Sequence, residues 1–210
     1  NSLSKDSPTY DRKWKSKVKR GNNKKTDLTS FKIINALKKI LMSPNNSKKN
    51  WIWEQYDHTV MGDTIQKPGG NSAVVRVHGK NKAIAMTVDS SAHYCMANPV
   101  EGAKQVVSET WRNLISVGAK PIAITNCLNF GNPENKEVMG EFAECLEGIK
   151  EACHYLNYPV VSGNVSFYNG TNKKNIHPTP VIGGVGLINK LNKKIKHIIK
   201  EDGKPILLVG

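Results

Sequence analysis

The chain has 210 residues, 38% of them hydrophobic, and a formal net charge of +14. That length suits one medium domain with flanks, or two small ones, and buries a core without disulfide help. Residues 1–53 carry 14 Lys+Arg against 3 Asp, residues 189–210 carry 6 against 2, and residues 54–188 carry 11 against 12, so the globular part is neutral and a nucleic-acid groove on its folded surface is disfavoured.

Residues 1–27 are polar, Lys-rich and aperiodic, which reads as an extended linker. From Thr29 the positions Phe31, Ile34, Leu37, Ile40 and Leu41 have helical spacing, with Pro44 after them, predicting a short amphipathic helix that docks on a neighbour. Residues 45–72 read as irregular, with Trp51, Trp53 and Tyr56 as an anchor between linker and domain. Ala73 to Val77 and Ala83 to Val88 read as strands joined by a turn. A helix is expected from Pro99 to Gly118, with Ala103, Val106, Val107, Thr110, Leu114 and Val117 inward.

Pro121 to Cys127 is a predicted strand. Glu134 to Leu156 is a predicted helix, capped by Asn132 with Pro133 at its first position, and with Met139, Phe142, Leu146, Ile149 and Cys153 inward. Pro159 to Ser162 is a strand expected to turn at Gly163–Asn164, and Val181 to Ile188 is a last Gly-rich strand. Strands alternating with helices over short connections predict an α/β layered domain, one sheet with helices packed on it. The expected units are a basic linker (1–53), the α/β domain (54–188) and a connection running into a truncated strand, PILLVG (189–210). Both ends read as edges of a fragment.

No apolar run approaches the roughly 18 to 20 residues of a membrane span. Cys95, Cys127, Cys145 and Cys153 form no CxxC pair, which fits reduced thiols of a cytoplasmic protein and neither a zinc site nor a disulfide framework. There is no Ser/His/Asp grouping, HExxH or Walker loop.

Two Asn- and Gly-rich clusters at the ends of apparently parallel strands are the strongest pointers to function. Gly163, Asn164 and Ser166 follow one strand. An Asn carbonyl oxygen suits a hard cation beside phosphate oxygens, a Gly amide can meet a phosphate, and a Ser hydroxyl can bond a substrate. Asn126, Asn129, Gly131 and Asn132 repeat the pattern ahead of a helix N-terminus. The same residues also make ordinary tight turns and caps. Asp89 could hold a metal or cap its loop, and His58 reads as a hydrogen-bonded structural residue.

The segments WEQYDHTVMGDT, PGGNSAVVRV, EGAKQVVSETWRNL, ITNCLNFGNPE, EACHYLNYPVVSGNVSFYN and PTPVIGGVGL, in that order, resemble phosphoribosylformylglycinamidine synthase of the small synthetase type, from about Ser7 to Gly210. The resemblance covers the linker into the second of that family's two homologous halves, the N-terminal domain of that half, and the first strand of the next. It implies an aminoimidazole-ribonucleotide-synthetase-like α/β fold, with helices on one face of the sheet, forming half of a pseudo-dimeric barrel. It also implies an ATP- and Mg²⁺-dependent ligase of purine biosynthesis that converts formylglycinamide ribonucleotide and ammonia to the amidine. The implied partners are a glutaminase subunit, a small bridging subunit and the first half of the same chain, with no nucleic acid and no membrane.

Carried over by motif, Asn126 and Gly163 bind ATP, Asn164 binds Mg²⁺ and Ser166 binds substrate, with no catalytic residue in this stretch. The family's catalytic His and most of its metal carboxylates belong to the first half, so this chain alone is expected to be silent. The chain departs from the family at positions 71, 98 and 126, where Asn stands for the usual Asp. Asn keeps an oxygen acceptor but lacks the charge, which leaves a chiefly structural pseudo-dimer half as the alternative. A basic nucleic-acid-binding protein is the third reading, and SGNVSFYN and NCLNFGNP fit the sister kinases and selenophosphate synthetases poorly.

Overall fold

The computed structural model describes residues 5–16, 32–196, 202–205 and 207. The helices α1 (Ile33–Leu41) and α2 (Asn50–Trp53) precede β1 (Thr64–Gln66), β2 (Ala73–Arg76) and β3 (Ala83–Ser90). They are followed by α3 (Ala92–Ala97), α4 (Pro99–Ser116), β4 (Lys120–Asn129), α5 (Lys136–Leu156) and β5 (Val160–Ser166). A tiny hairpin of β6 (Gly170–Thr171) and β7 (Lys174–Asn175) precedes β8 (Thr179–Ile188).

Six strands form one sheet in the order β1-β2-β3-β8-β4-β5. Only β4 and β5 run parallel, as their crossover through α5 requires, and the other pairs are antiparallel. The layered α/β expectation holds. α4 starts where Asn98 accepts a hydrogen bond from the Glu101 amide and Pro99 occupies the first turn. Its inward face is the expected one, with Ala103, Val106, Val107, Thr110, Leu114 and Val117 all buried.

Close packing of α4 on the sheet depends on glycines in β8. A Cβ at Gly184 would collide with the Tyr158 hydroxyl and lie 3.2 Å from Thr110 Cβ, and one at Gly186 would lie 3.1 Å from Ala119 Cβ. α5 packs along α4, where Gly148 admits the Val100 carbonyl.

Several expected boundaries move. α5 begins at Lys136 with Asn135 as its cap, because Asn132 instead closes a separate turn by accepting from the Glu134 amide. Its buried positions are Val138, Gly140, Glu141, Cys145, Gly148, Ile149 and Ala152, while Leu146 is exposed. β5 does not turn at Gly163–Asn164 but continues through both to Ser166, paired along β4. β1 and α3 were not expected. Three and six residues are too short for either to show a period.

The four cysteines are free, with Cys95 and Cys145 buried. A hydrogen bond with Cys95 and burial together push the Cys145 thiol up, so it stays protonated.

The basic segment ahead of residue 17 is not simply a solvated linker. Residues 10–16 run along α5 as a strap. The Lys15 amide donates to the Lys136 carbonyl at 3.2 Å, Lys15 pairs with Glu137 at 3.0 Å, Arg12 with Glu134 at 3.8 Å, and Ser16 bonds Glu144. Gly140 makes room for it, since any Cβ there would strike the Lys15 carbonyl.

α1 has the expected helical phase, but its apolar residues, Ile33, Ile34, Leu37, Ile40 and Leu41, are all exposed. The expected start of this helix, residues 29–31, lies outside the described residues, as does most of PILLVG. Of the predicted aromatic anchor, Trp53 lies against Gly69, while Trp51 and Tyr56 are exposed.

Candidate functional site

The parallel pairing of β4 with β5 brings the four candidate residues together. Asn126 stands opposite Gly163, Cys127 opposite Asn164, and Asn129 opposite Ser166. Paired residues share a face of the sheet and successive residues alternate. Asn126 also pairs with Ile182, which is fully buried on the α4 side. Asn126 and Gly163 therefore belong to the covered face, whereas Asn164 and Ser166 belong to the bare one. The two clusters lie side by side along the β4–β5 pair, with two of the four residues on each face of the sheet.

Gly163 is sterically specified by its neighbour, because a Cβ there would strike Asn126 Oδ1. Gly163 and Asn164, on the edge strand β5, are exposed, while Asn126, on the interior strand β4, and Ser166 are half-buried. Asn164 offers one neutral amide oxygen. Among the described residues no group of three or more His, Cys, Asp or Glu converges on a metal position. A Mg²⁺ held by Asn164 fits only with its other oxygens drawn from phosphates, water and groups beyond these residues.

The loops after β4 and β5 are knitted into one unit. The Phe130 amide donates to the Ser166 carbonyl at 2.9 Å, the Tyr168 amide to the Gly131 carbonyl at 2.9 Å, and the Asn169 amide to the Phe130 carbonyl at 3.2 Å. Asn129 Nδ2 donates to the Cys127 carbonyl at 3.1 Å, and the Asn132 amide donates to Asn175 Oδ1 at 2.9 Å. Asn175 lies so close over Gly131 that a side chain there would clash. Beneath the loops, Phe142 of α5 meets Phe130 and Phe167 edge-on, with centroids 5.2 and 5.0 Å away. Tyr168 holds a φ of +60°, a conformation costly for a bulky residue.

Sequence reasoning missed Asn169, which sits at the end of the strongest motif. Its side chain bonds both loops, donating to the Phe130 carbonyl at 3.0 Å and the Ser166 carbonyl at 2.9 Å. An Asn directly before a Gly at a strand end was its only available signal.

Asp89 lies apart from this edge and accepts from Thr87 at 2.8 Å and Asn113 at 3.0 Å. A polar cavity of about 470 Å³ opens beside it, lined also by Asn71 and Glu109. The His58 ring makes a long contact, 3.4 Å, with the Tyr56 carbonyl, and the His58 carbonyl accepts from the Thr64 hydroxyl. No described helix is long and apolar enough to cross a membrane.

Residues 69–188 match the profile described as AIR synthase related protein, N-terminal domain. The whole chain aligns, 61% identical over 213 residues, with phosphoribosylformylglycinamidine synthase subunit PurL from Pelagibacter ubique (strain HTCC1062), of which it spans 29%. Thermotoga maritima PurL complexed with ATP is 34% identical, with a TM-score of 0.60 over 68% of this chain and 23% of that one. The same protein complexed with FGAR is 35% identical, with a TM-score of 0.63 over 71% and 24%. The chain thus spans under a third of the relatives it matches.

Proposed function

This chain belongs to the AIR synthase-related family, and on that premise we propose that it supplies one wall of the ATP, Mg²⁺ and substrate site of an ATP-dependent carbon–nitrogen ligase. The reaction is that of phosphoribosylformylglycinamidine synthase, in the cytoplasm, with glutamine-derived ammonia as the incoming nitrogen. The observation that carries the reading is the β4–β5 register, which brings Asn126, Gly163, Asn164 and Ser166 together along two neighbouring parallel strands.

In this reading Asn126 and the Gly163 backbone hold ATP, the Asn164 amide oxygen holds Mg²⁺, and Ser166 bonds formylglycinamide ribonucleotide. Bound ATP supplies a phosphoryl group that turns the substrate's amide oxygen into a leaving group. The chain's own part is to orient. The bare Cα of Gly163 makes room for the Asn126 side chain, and the bonds between the loops hold the backbone beside Ser166 in place.

The linker (1–53) leads in from the first half, residues 54–188 form the N-terminal domain of the second, and residues 189–210 enter the next domain. The proposed partners are a glutaminase subunit and a small bridging subunit.

A second reading, a chiefly structural half, is favoured by Asn126, which keeps an oxygen acceptor but lacks a charge, and the bare face of the sheet exposes Ile84, Met86, Val88 and Val185. In both readings that face completes a barrel with the first half.

The test is ADP release by the complete polypeptide with formylglycinamide ribonucleotide and ammonium chloride. Release that disappears in a folded Asn164→Ala variant supports the ligase wall. Release unchanged by the substitution makes this half a scaffold. The isolated 210-residue chain should show no turnover under the same conditions.

A further inference from the structure

Ser166 is not a free hydroxyl. Besides its bonds to the Phe130 and Ser166 carbonyls, Asn169 Nδ2 lies 3.0 Å from Ser166 Oγ. The two carbonyls accept only, so they fix which end of the Asn169 amide faces them. One amide hydrogen serves Phe130, and the other is shared between the carbonyl and hydroxyl oxygens of Ser166. The hydroxyl oxygen is thereby engaged as an acceptor. The internal partner for its own proton is Asn169 Oδ1 at 3.3 Å, a long contact that a better acceptor displaces. The strained backbone at Tyr168 is what turns Asn169 back over Ser166, three residues behind it.

We infer that Asn169 is a positioning residue that makes Ser166 a hydrogen-bond donor, aimed at an acceptor oxygen of the substrate. This rests on the reading of Ser166 as the substrate contact. A ligand that presents an amide or phosphate oxygen matches the arrangement. One that presents only an N–H at that point leaves the Ser166 proton on its long contact with Asn169 Oδ1 and binds more weakly.

The experiment uses the complete polypeptide, with KM and kcat for formylglycinamide ribonucleotide and its Kd by calorimetry without ATP. Ser166→Ala and Asn169→Ala should each raise KM and Kd roughly 5- to 20-fold, the scale of one hydrogen bond, with kcat within about twofold. The double variant should be no worse than the weaker single one. Asn169→Asp, whose carboxylate accepts where the amide donates, should bind as weakly as Asn169→Ala at pH 8. Unchanged affinity in Ser166→Ala overturns the substrate contact and this inference with it. Weakened Ser166→Ala beside wild-type-like Asn169 variants, or multiplicative losses in the double variant, overturns this inference alone. Should Asn169→Ala fail to fold, Asn169→Asp decides, and wild-type affinity in that variant at pH 8 counts against it.

Discussion

The two faces of the sheet carry similar residues and live in different surroundings. On the covered face Val74, Ile124, Leu128 and Ile182 are at most 3% exposed beneath α4 and its neighbours. On the bare face Val88 is 72% exposed, and Ile84, Met86 and Val185 are close to 40%. Strand alternation builds both faces at once, yet only the first is sealed by this chain's own helices. The strands are therefore specified for two neighbours, and burial separates what this chain does for itself from what another surface must complete.

Substitutions can test how sharp that division is. The largest effect should come from Leu114→Ala, which empties a fully buried site under β8 and should cost about 3 kcal/mol in urea denaturation. Next comes Gly184→Ala, whose methyl group meets Tyr158 and Thr110, and which should lower stability by roughly 1–3 kcal/mol in the same titration.

The covered face should also show itself in alkali. Burial pushes the Tyr158 hydroxyl up to about 12. Because this folded-state value lies above the ordinary one near 10, the stabilisation is complete below pH 10. It is lost as pH rises from 10 towards 12, where the unfolded chain ionises first. Melting curves across that window should steepen their decline in wild type and do so less in Tyr158→Phe.

A smaller effect belongs to the strap. Gly140→Leu should expel it and expose Arg12, Lys13 and Lys15 to trypsin, while global stability changes by under about 1 kcal/mol because the lost ion pairs are exposed. Smallest of all should be Val88→Ser on the bare face, within about 0.5 kcal/mol for the isolated chain. Its visible consequence should be weaker self-association in sedimentation velocity. A loss as large as that of Leu114→Ala would mean the bare face is already packed.

Much of this division was legible in the residues. The α4 face was legible in full because eighteen residues give several turns of phase and Pro99 marks the start. α5 was found, but its start and inward face slipped, because Asn132 and Asn135 are equally good caps and the choice between them depends on a turn between loops. β5 was cut short because Gly163 and Asn164 favour turns in isolation. The ladder with β4 overrides that preference, and Gly163 is needed there to accommodate Asn126. That cut also hid the placement of the candidate residues on opposite faces, since a face can be assigned only once the strand is known to continue. Asn169 stayed unread because it acts through bonds to two carbonyls and a hydroxyl brought together by separate loops, and no periodicity encodes that.

The strap on α5 sets a geometric limit on α1. Ser16 is fastened at one end and Trp53 rests against Gly69 at the other, so α1 belongs to a loop closed at both ends. Seventeen steps from Ser16 to Ile33 bound its reach to roughly 60 Å. Within that radius its apolar stripe is held at a far higher effective concentration than a free peptide would be. A surface too weak to recruit such a helix from solution can still capture this one, and releasing the strap raises that upper bound without altering a residue of the helix.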